Sequence, residues 1–164
     1  MYIWAMKNLN LVGTTWIGNS SLLDEELVGV FASDRSDILM PRRRDHWAAD
    51  AGLEGCKVVG SFRNLSERNI LEILLRYGGH AVWIVDRKLP TIYSSTCCQA
   101  FAEGRLLVVS CFWNDESLFS TRQYCADFVQ RLASRLILWA PSSGGLMQRV
   151  ASCAYRNGKL VEVH

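Results

Sequence analysis

The chain contains few of the residue patterns on which metal and disulfide chemistry depends, and its charges nearly balance. Its three histidines stand far apart, and its six cysteines form neither a Cys-x-x-Cys pair nor the spacing of a zinc site. The formal net charge is only +2, so composition neither requires nor excludes a nucleic-acid partner. We therefore expect reduced, mostly buried thiols and no bound metal.

Long hydrophobic runs and a leader segment are also missing from the sequence. No apolar segment reaches the roughly 18–20 residues that a membrane-spanning helix needs. Residues 1–7 lack a basic segment followed by an apolar one, as a signal peptide would have. The length of 164 residues and the 49% hydrophobic content are typical of one globular domain. These features predict a cytoplasmic, single-domain protein over residues 1–164, with residues 1–26 as a lead-in segment and no membrane partner.

The sequence does contain short apolar runs without polar alternation, which is the pattern of buried parallel strands. Three runs show it most clearly, at Leu27–Ala32, Lys57–Val59 and Arg105–Val109. Six strands are predicted in all: Leu27–Ala32, Cys56–Val59, His80–Val85, Arg105–Val109, Leu136–Ala140 and Leu160–Val163. Helical stretches separate them, and the clearest begins at Asn64, with Glu67 three residues later as in a capping box. The alternation predicts an α/β fold, a Rossmann-like three-layer α/β/α sandwich with a mostly parallel, doubly wound sheet.

Polar and small residues follow several of these strands. Open α/β sheets bind ligands at the carboxyl ends of their strands, because backbone N–H groups and helix N-termini point there. We therefore consider ten residues as candidates for phosphate binding: Ser33, Arg35, Gly60, Ser61, Arg63, Asn64, Ser110, Ser143, Gly144 and Gly145. Structural alternatives stay open, since a serine can cap a turn and a glycine can serve a tight strand–helix connection.

The order of these motifs resembles the Rossmann-like domain of DNA-processing protein A, also called Smf, over about residues 18–145. The most similar stretch is Glu103–Phe112, and weaker matches are Phe31–Arg35, Val59–Phe62 and Ser143-Gly144. The resemblance implies a protein of bacterial type that binds single-stranded DNA or a nucleotide and requires no cofactor beyond a bound nucleotide or phosphate. It also implies a homodimer and a recombinase as partner.

The chain departs from that family at two places. Cys125-Ala126 stands where the family commonly has Arg-Asn, and Gly60-Ser61 stands where it has Ser-Gly. Two alternative functions therefore stay open. The first is a nucleotide N-glycosidase that uses Glu67 as acid or base, although a helix cap also explains this residue and the Pro-Gly-Gly-x-Gly-Thr motif of the related phosphoribohydrolases is missing. The second is a protein-interaction module with a degenerate pocket.

The only run of basic residues is Arg42-Arg43-Arg44. On a helix, three consecutive side chains point in three directions, so they cannot form a single stripe. We therefore expect a solvated face here more than a contact with a phosphate backbone.

Overall fold

A seven-stranded sheet forms the centre of the computed structural model, which describes residues 14–34, 39–112, 115–141 and 145–164. The strands lie in the order β1-β5-β4-β3-β2-β6-β7. Strand β1 is antiparallel to β5, and each of the other neighbouring pairs is parallel. The strands are β1 (Thr15–Gly18), β2 (Leu27–Ala32), β3 (Lys57–Gly60), β4 (His80–Val85), β5 (Leu106–Ser110), β6 (Ala133–Trp139) and β7 (Leu160–Val163).

Helices cover both faces of this sheet. The helices are α1 (Met40–Leu53), α2 (Leu65–Arg76), α3 (Ser95–Ala102), α4 (Phe119–Leu132) and α5 (Leu146–Arg156). Helices α1, α2 and α3 pack on one face, where Ile70, Leu71 and Leu74 are fully buried, and α4 and α5 pack on the other face around Val129 and Ala154. The predicted three-layer, doubly wound α/β fold is confirmed.

Two local signals account for the clearest helix. The Asn64 side chain accepts a hydrogen bond from the Glu67 N–H at 2.8 Å and so caps α2, as predicted. The helix ends before Gly78, whose φ of +96° is costly for residues with a Cβ. The pattern of apolar positions between these ends places Ile70, Leu71, Leu74 and Leu75 against the sheet.

The lead-in segment contains a strand that the sequence analysis did not predict. Strand β1 has only four residues, lies at the edge of the sheet and leaves Trp16 50% exposed. It therefore lacks the continuous apolar run by which the buried strands were found. A 3-10 helix, Ser20–Asp24, follows, and its cap is the Asn19 side chain, which accepts from the Ser21 N–H.

The remaining sequence features were also located in the fold. All six cysteines are free thiols, but only Cys97 and Cys125 are buried, so the expectation of mostly buried thiols was wrong. Arg44 is buried beside Asp45, at 3.1 Å, whereas Arg42 and Arg43 are exposed, so the three arginines do not form a single stripe. Across the described residues, no helix is long and apolar enough to cross a bilayer, and no group of three or more His, Cys, Asp or Glu side chains could hold a metal ion.

Candidate functional site

The chain reverses its direction of winding at β2. From β2 it proceeds through β3, β4 and β5 on one side, and it returns to the other side of β2 with β6. Ligands of doubly wound sheets bind at such a switch point, outside the carboxyl ends of the strands. A cleft of about 340 Å³ lies here, and five residues singled out in the sequence line it: Ser33, Ser61, Arg63, Asn64 and Glu67.

The N-terminus of α2 faces this cleft, but protein side chains already occupy its N–H groups. Asn64 caps the Glu67 N–H, and Asp34 Oδ1 accepts from the Ser66 N–H at 3.0 Å. The amide nitrogen of the Asn64 side chain is engaged as well, because Nδ2 donates to the Ala32 carbonyl at 2.7 Å. Asn64 therefore joins the end of β2 to the start of α2, and little of the backbone at this helix end is left for a ligand.

Glu67 is a buried carboxyl group in the wall of the cleft, with 4% of its surface exposed. Its Oε1 accepts from the Arg63 N–H at 3.1 Å, and its Oε2 accepts from the Ala32 N–H at 3.3 Å. Burial raises the pKa of Glu67 to about 7, although these backbone N–H groups act in the opposite direction. Glu67 can therefore hold or release a proton close to neutral pH.

Further charged groups surround Glu67. Two carboxylates, Asp34 and the buried Asp86, line the cleft together with two arginines, Arg63 and Arg122. Asp86 accepts a hydrogen bond from the Ser117 hydroxyl, and Arg122 Nε donates weakly to the Leu118 carbonyl at 3.4 Å. The Arg63 side chain is exposed and, within the part of the chain that the structure describes, makes no ion pair or hydrogen bond.

Serines and glycines at the strand ends have different surroundings. Ser33 lines the cleft, but its hydroxyl donates to the Ala140 carbonyl at 2.6 Å and so joins β2 to the end of β6. Ser61 lines the cleft with its hydroxyl and N–H unengaged among the described residues, while its carbonyl accepts from Trp83 Nε1 at 3.1 Å. Ser61 therefore has polar groups available for a ligand.

Three other predicted residues lie away from the cleft lining or serve packing. A Cβ on Gly60 would lie 2.9 Å from Phe62 Cζ and 3.2 Å from the Val30 carbonyl oxygen, so the close packing of Phe62 requires glycine there. Ser110 is fully buried, and its hydroxyl donates to the Arg87 carbonyl and accepts from the Phe112 N–H. Gly145 is the N-cap residue of α5.

Three further candidates fall in segments outside the described residues. They are Arg35, Ser143 and Gly144. Their role in phosphate binding stays a prediction from the sequence.

The helix α4 contributes an apolar wall at the position where the sequence departs from the Arg-Asn pattern. Cys125 is fully buried, and its Sγ lies 3.5 Å from the Val85 carbonyl oxygen. Burial raises the pKa of this thiol far above its ordinary value, so the side chain is neutral. Cys125 and Ala126 thus supply no positive charge, and Arg122 is the cation that α4 brings to the cleft.

Sequence reasoning missed Asp86 and Arg122. Asp86 directly follows the last residue of β4, so the rule that ligands gather at strand ends would have identified it. Arg122 lies in the first turn of α4, and no local pattern marks it. Only the packing of α4 over β2 and β4 brings its side chain to the cleft.

Two residues with unfavourable backbone conformations flank the site. Phe62 has a φ of +40° and Ala140 a φ of +53°, and both are residues with a Cβ in the left-handed region. Phe62 lies between Ser61 and Arg63, and Ala140 follows β6 and receives the Ser33 hydroxyl. Strained conformations of this kind persist where the surrounding structure fixes them, often beside functional sites.

Solved structures share this fold, although comparison of the sequence with known protein families and curated proteins gives no match. DNA processing protein A from Helicobacter pylori has a TM-score of 0.73 and 16% identity, over 92% of this chain and 70% of that chain. The Streptococcus pneumoniae protein has a TM-score of 0.73 and 17% identity over 92% of this chain, which spans only 54% of that protein. A molybdenum cofactor binding protein from Rippkaea orientalis has a TM-score of 0.60 and 12% identity, over 85% and 76% of the two chains. The chain therefore has the Rossmann-like fold of DNA processing protein A, as its motifs predicted.

Proposed function

We propose that the cleft binds single-stranded DNA, with a backbone phosphate over the carboxyl ends of β2 and β3. The observation that carries this proposal is the position of Arg63, Arg122 and Ser61 around one cleft at the switch point of the sheet. The Helicobacter pylori protein of the same fold is described as binding single-stranded DNA. A nucleotide is the smaller ligand that would use the same groups.

Side chains supply most of the contacts in this proposal. The Asn64, Asp34 and Glu67 side chains occupy N–H groups of the β3–α2 connection and of the first turn of α2. A phosphate would therefore bind through the Arg63 and Arg122 guanidinium groups and the Ser61 hydroxyl, since guanidinium groups donate two hydrogen bonds to phosphate oxygens. Ser33 serves as a support, because its hydroxyl fixes the strand ends.

Protonation of Glu67 belongs to the same proposal. In its neutral form the carboxyl group adds no charge beside a phosphate and can donate its proton to a phosphate oxygen. In its ionised form it repels the ligand. A homodimer, a recombinase partner, a single domain and a cytoplasmic location stay predictions from the sequence.

Fluorescence anisotropy of a labelled oligothymidylate tests the proposal, with a duplex of the same length as control. We expect single strands to bind more tightly than the duplex, and the affinity to fall steeply between about 50 and about 200 mM salt. Arg63→Gln should weaken binding about tenfold, which corresponds to about 1.4 kcal/mol, and lower the salt slope by about 0.7.

Arg76→Gln is the matched control. Arg76 is an exposed arginine in the last turn of α2, at the opposite end of the helix from the cleft, and the 11 positions from Leu65 to Arg76 correspond to about 16 Å. This variant has the same change in net charge and should bind like the wild type. Equal weakening by both variants, or no binding at low salt, would contradict binding in the cleft.

A nucleotide N-glycosidase is the second candidate function, and Glu67 is the observation that favours it. A buried carboxyl group with a pKa of about 7 in a cleft suits general acid catalysis. This candidate requires that the protein release free base from nucleoside monophosphates. The activity should be lost in Glu67→Gln and kept in Glu54→Gln, because Glu54 is an exposed residue at the end of α1. Absence of base release from the wild type removes it. If neither nucleotides nor oligonucleotides bind, the protein-interaction module is the remaining candidate.

A further inference from the structure

A groove between α4 and α5 adjoins the cleft. Its volume is about 550 Å³, larger than that of the cleft, and Leu146 at the start of α5 lines both cavities. Most of the other lining residues are polar side chains of the two helices, among them Asp127, Gln130, Arg149 and Arg156. The two cavities are therefore neighbours on the surface, with Leu146 between them.

The groove carries positive charge. Arg149 and Arg156 lie seven positions apart on one face of α5, about 10 Å along the helix axis. Both are exposed, and neither makes an ion pair or hydrogen bond within the described ranges. The single carboxylate of the lining, Asp127, is paired with Arg131 at 2.9 Å. Two arginines are therefore available to an anion along the length of the groove.

Gln130 provides an independent observation. This glutamine of α4 lines the groove with only 1% of its surface exposed, and its Nε2 donor is buried without a hydrogen-bond partner in the part of the chain described. Its Oε1 has only a weak contact, 3.8 Å from Cys153 Sγ. Buried amide donors without a partner are rare and unfavourable. An acceptor atom of a ligand lying in the groove would satisfy this donor.

We propose that the groove between α4 and α5 is a second binding site for the sugar–phosphate backbone of a single strand whose first phosphate lies in the cleft. Arg149 and Arg156 contact successive phosphates, and Gln130 donates to an oxygen of the strand. This inference rests on the proposed function. It also defines the path of the strand over the protein surface, across the face formed by α4 and α5. The exposed Arg42 and Arg43 lie on α1 at the opposite face of the sheet, in a surface pocket that shares no described lining residue with the cleft.

The length of the bound strand distinguishes this inference from the proposed function. We would measure the anisotropy of a labelled thymidine dinucleotide and of a labelled oligothymidylate of about 12 nucleotides, because the single phosphodiester of the short strand occupies the cleft without a further phosphate for the groove. In the Arg149→Gln/Arg156→Gln double variant, the long strand should bind about tenfold more weakly, as expected for two exposed ion pairs. Its salt slope should fall by about 1.4, or 0.7 for each lost phosphate contact. Affinity for the short strand should not change.

The Arg42→Gln/Arg43→Gln double variant is the matched control, since it removes the same charge from the other face. It should bind both strands like the wild type. The inference is overturned if the long strand binds the Arg149→Gln/Arg156→Gln variant as tightly as the wild type, or if the Arg42→Gln/Arg43→Gln variant causes the larger loss. In either case a loss of short-strand binding in Arg63→Gln would still support the cleft. If the wild type binds neither strand, both the proposed function and this inference fail.

Discussion

The buried carboxyl group of Glu67 predicts an unusual dependence of stability on pH. Most carboxyl groups of folded proteins gain partners and have lowered pKa values, so proteins lose stability in acid. Glu67 is different, because burial raises its pKa from an ordinary 4.5 to about 7 in the folded state. The folded protein therefore holds this proton more tightly than the unfolded chain does.

The sign and the size of the effect follow from this difference. Between pH 4.5 and about 7 the folded state binds more protons at Glu67 than the unfolded state, so the free energy of unfolding falls as pH rises. The stabilisation by this proton is complete below pH 4.5 and is lost as the pH rises through the folded pKa. Above that pKa, Glu67 causes no further change of stability with pH. At 1.36 kcal/mol per pKa unit, the total is about 3 kcal/mol. Folded proteins are typically stable by about 5–15 kcal/mol, so the contribution of Glu67 is a large part of the total.

Urea unfolding followed by tryptophan fluorescence measures this effect, because Trp83 and Trp139 are buried. We would compare the wild type with Glu67→Gln between about pH 5 and about pH 8, the window set by the two pKa values. His80 acts in the opposite direction. Burial lowers the pKa of His80, so the stability that this neutral side chain contributes is lost as the pH falls below the ordinary histidine pKa of 6.5. The difference between the two proteins isolates Glu67, since His80 is present in both.

We expect Glu67→Gln to cost stability at pH 5, because one amide cannot accept from both the Ala32 and Arg63 N–H groups. At pH 8 the cost should be smaller by up to about 3 kcal/mol, because the wild type has lost the contribution of the Glu67 proton and the variant has not. Parallel stability curves for the two proteins would refute the reasoning, as would a wild-type advantage that grows with pH. Glu54→Gln, an exposed change of the same kind, should give a curve parallel to that of the wild type.

Three further predictions concern the cleft, the groove and the strand ends. Affinity for single strands should fall as the pH rises through about 7 in the wild type and stay flat in Glu67→Gln, measured by anisotropy at constant salt; equal slopes would contradict the role of this carboxyl group. Gln130→Met removes the unpaired amide, so it should raise the free energy of unfolding by about 1 kcal/mol and lower the affinity for the long strand. A variant that is less stable and binds the long strand unchanged would argue against the groove. Ala140→Gly relieves a φ of +53° and should raise the free energy of unfolding in urea by up to about 1 kcal/mol. Ala49→Gly, within α1, is the control and should lower that free energy by about 1 kcal/mol. A change of the same sign in both variants would disprove strain at Ala140.

The sequence was sufficient for the buried strands because their environment is uniform. All six residues of β2 are buried, so an apolar run without alternation is its direct consequence. The edge strand β1 has three exposed residues of four and carries no such pattern. The start of β6 was also missed: it begins at Ala133 rather than at Leu136, because Ala133 and Arg135 pair with Leu27 and Val28 around an irregularity in register.

The site was less predictable, because a position at a strand end does not determine where a polar group is directed. Ser33 and Ser61 both follow strands, yet the Ser33 hydroxyl donates to the Ala140 carbonyl, whereas that of Ser61 has no partner among the described residues. Ser110 is the last residue of β5, and its hydroxyl is engaged by the Arg87 carbonyl and the Phe112 N–H. These outcomes depend on contacts between residues that are distant in sequence, and no local motif contains that information.

The charges of the cleft bear on which ligand it suits. Two arginines face the two carboxylates Asp34 and Asp86, so the lining is close to neutral when Glu67 is protonated and negative when it is not. A terminal phosphate carries a charge of about −1.5 to −2 at neutral pH and would meet this carboxylate field directly. A phosphodiester has a single charge and can be placed between Arg63 and Arg122 at smaller electrostatic cost. The neutral thiol of Cys125 on α4 strengthens this preference, because a second full charge has no cationic partner there. The lining thus favours an internal phosphate of a strand over a free nucleotide, which agrees with our proposal that Arg149 and Arg156 contact further phosphates of the same strand.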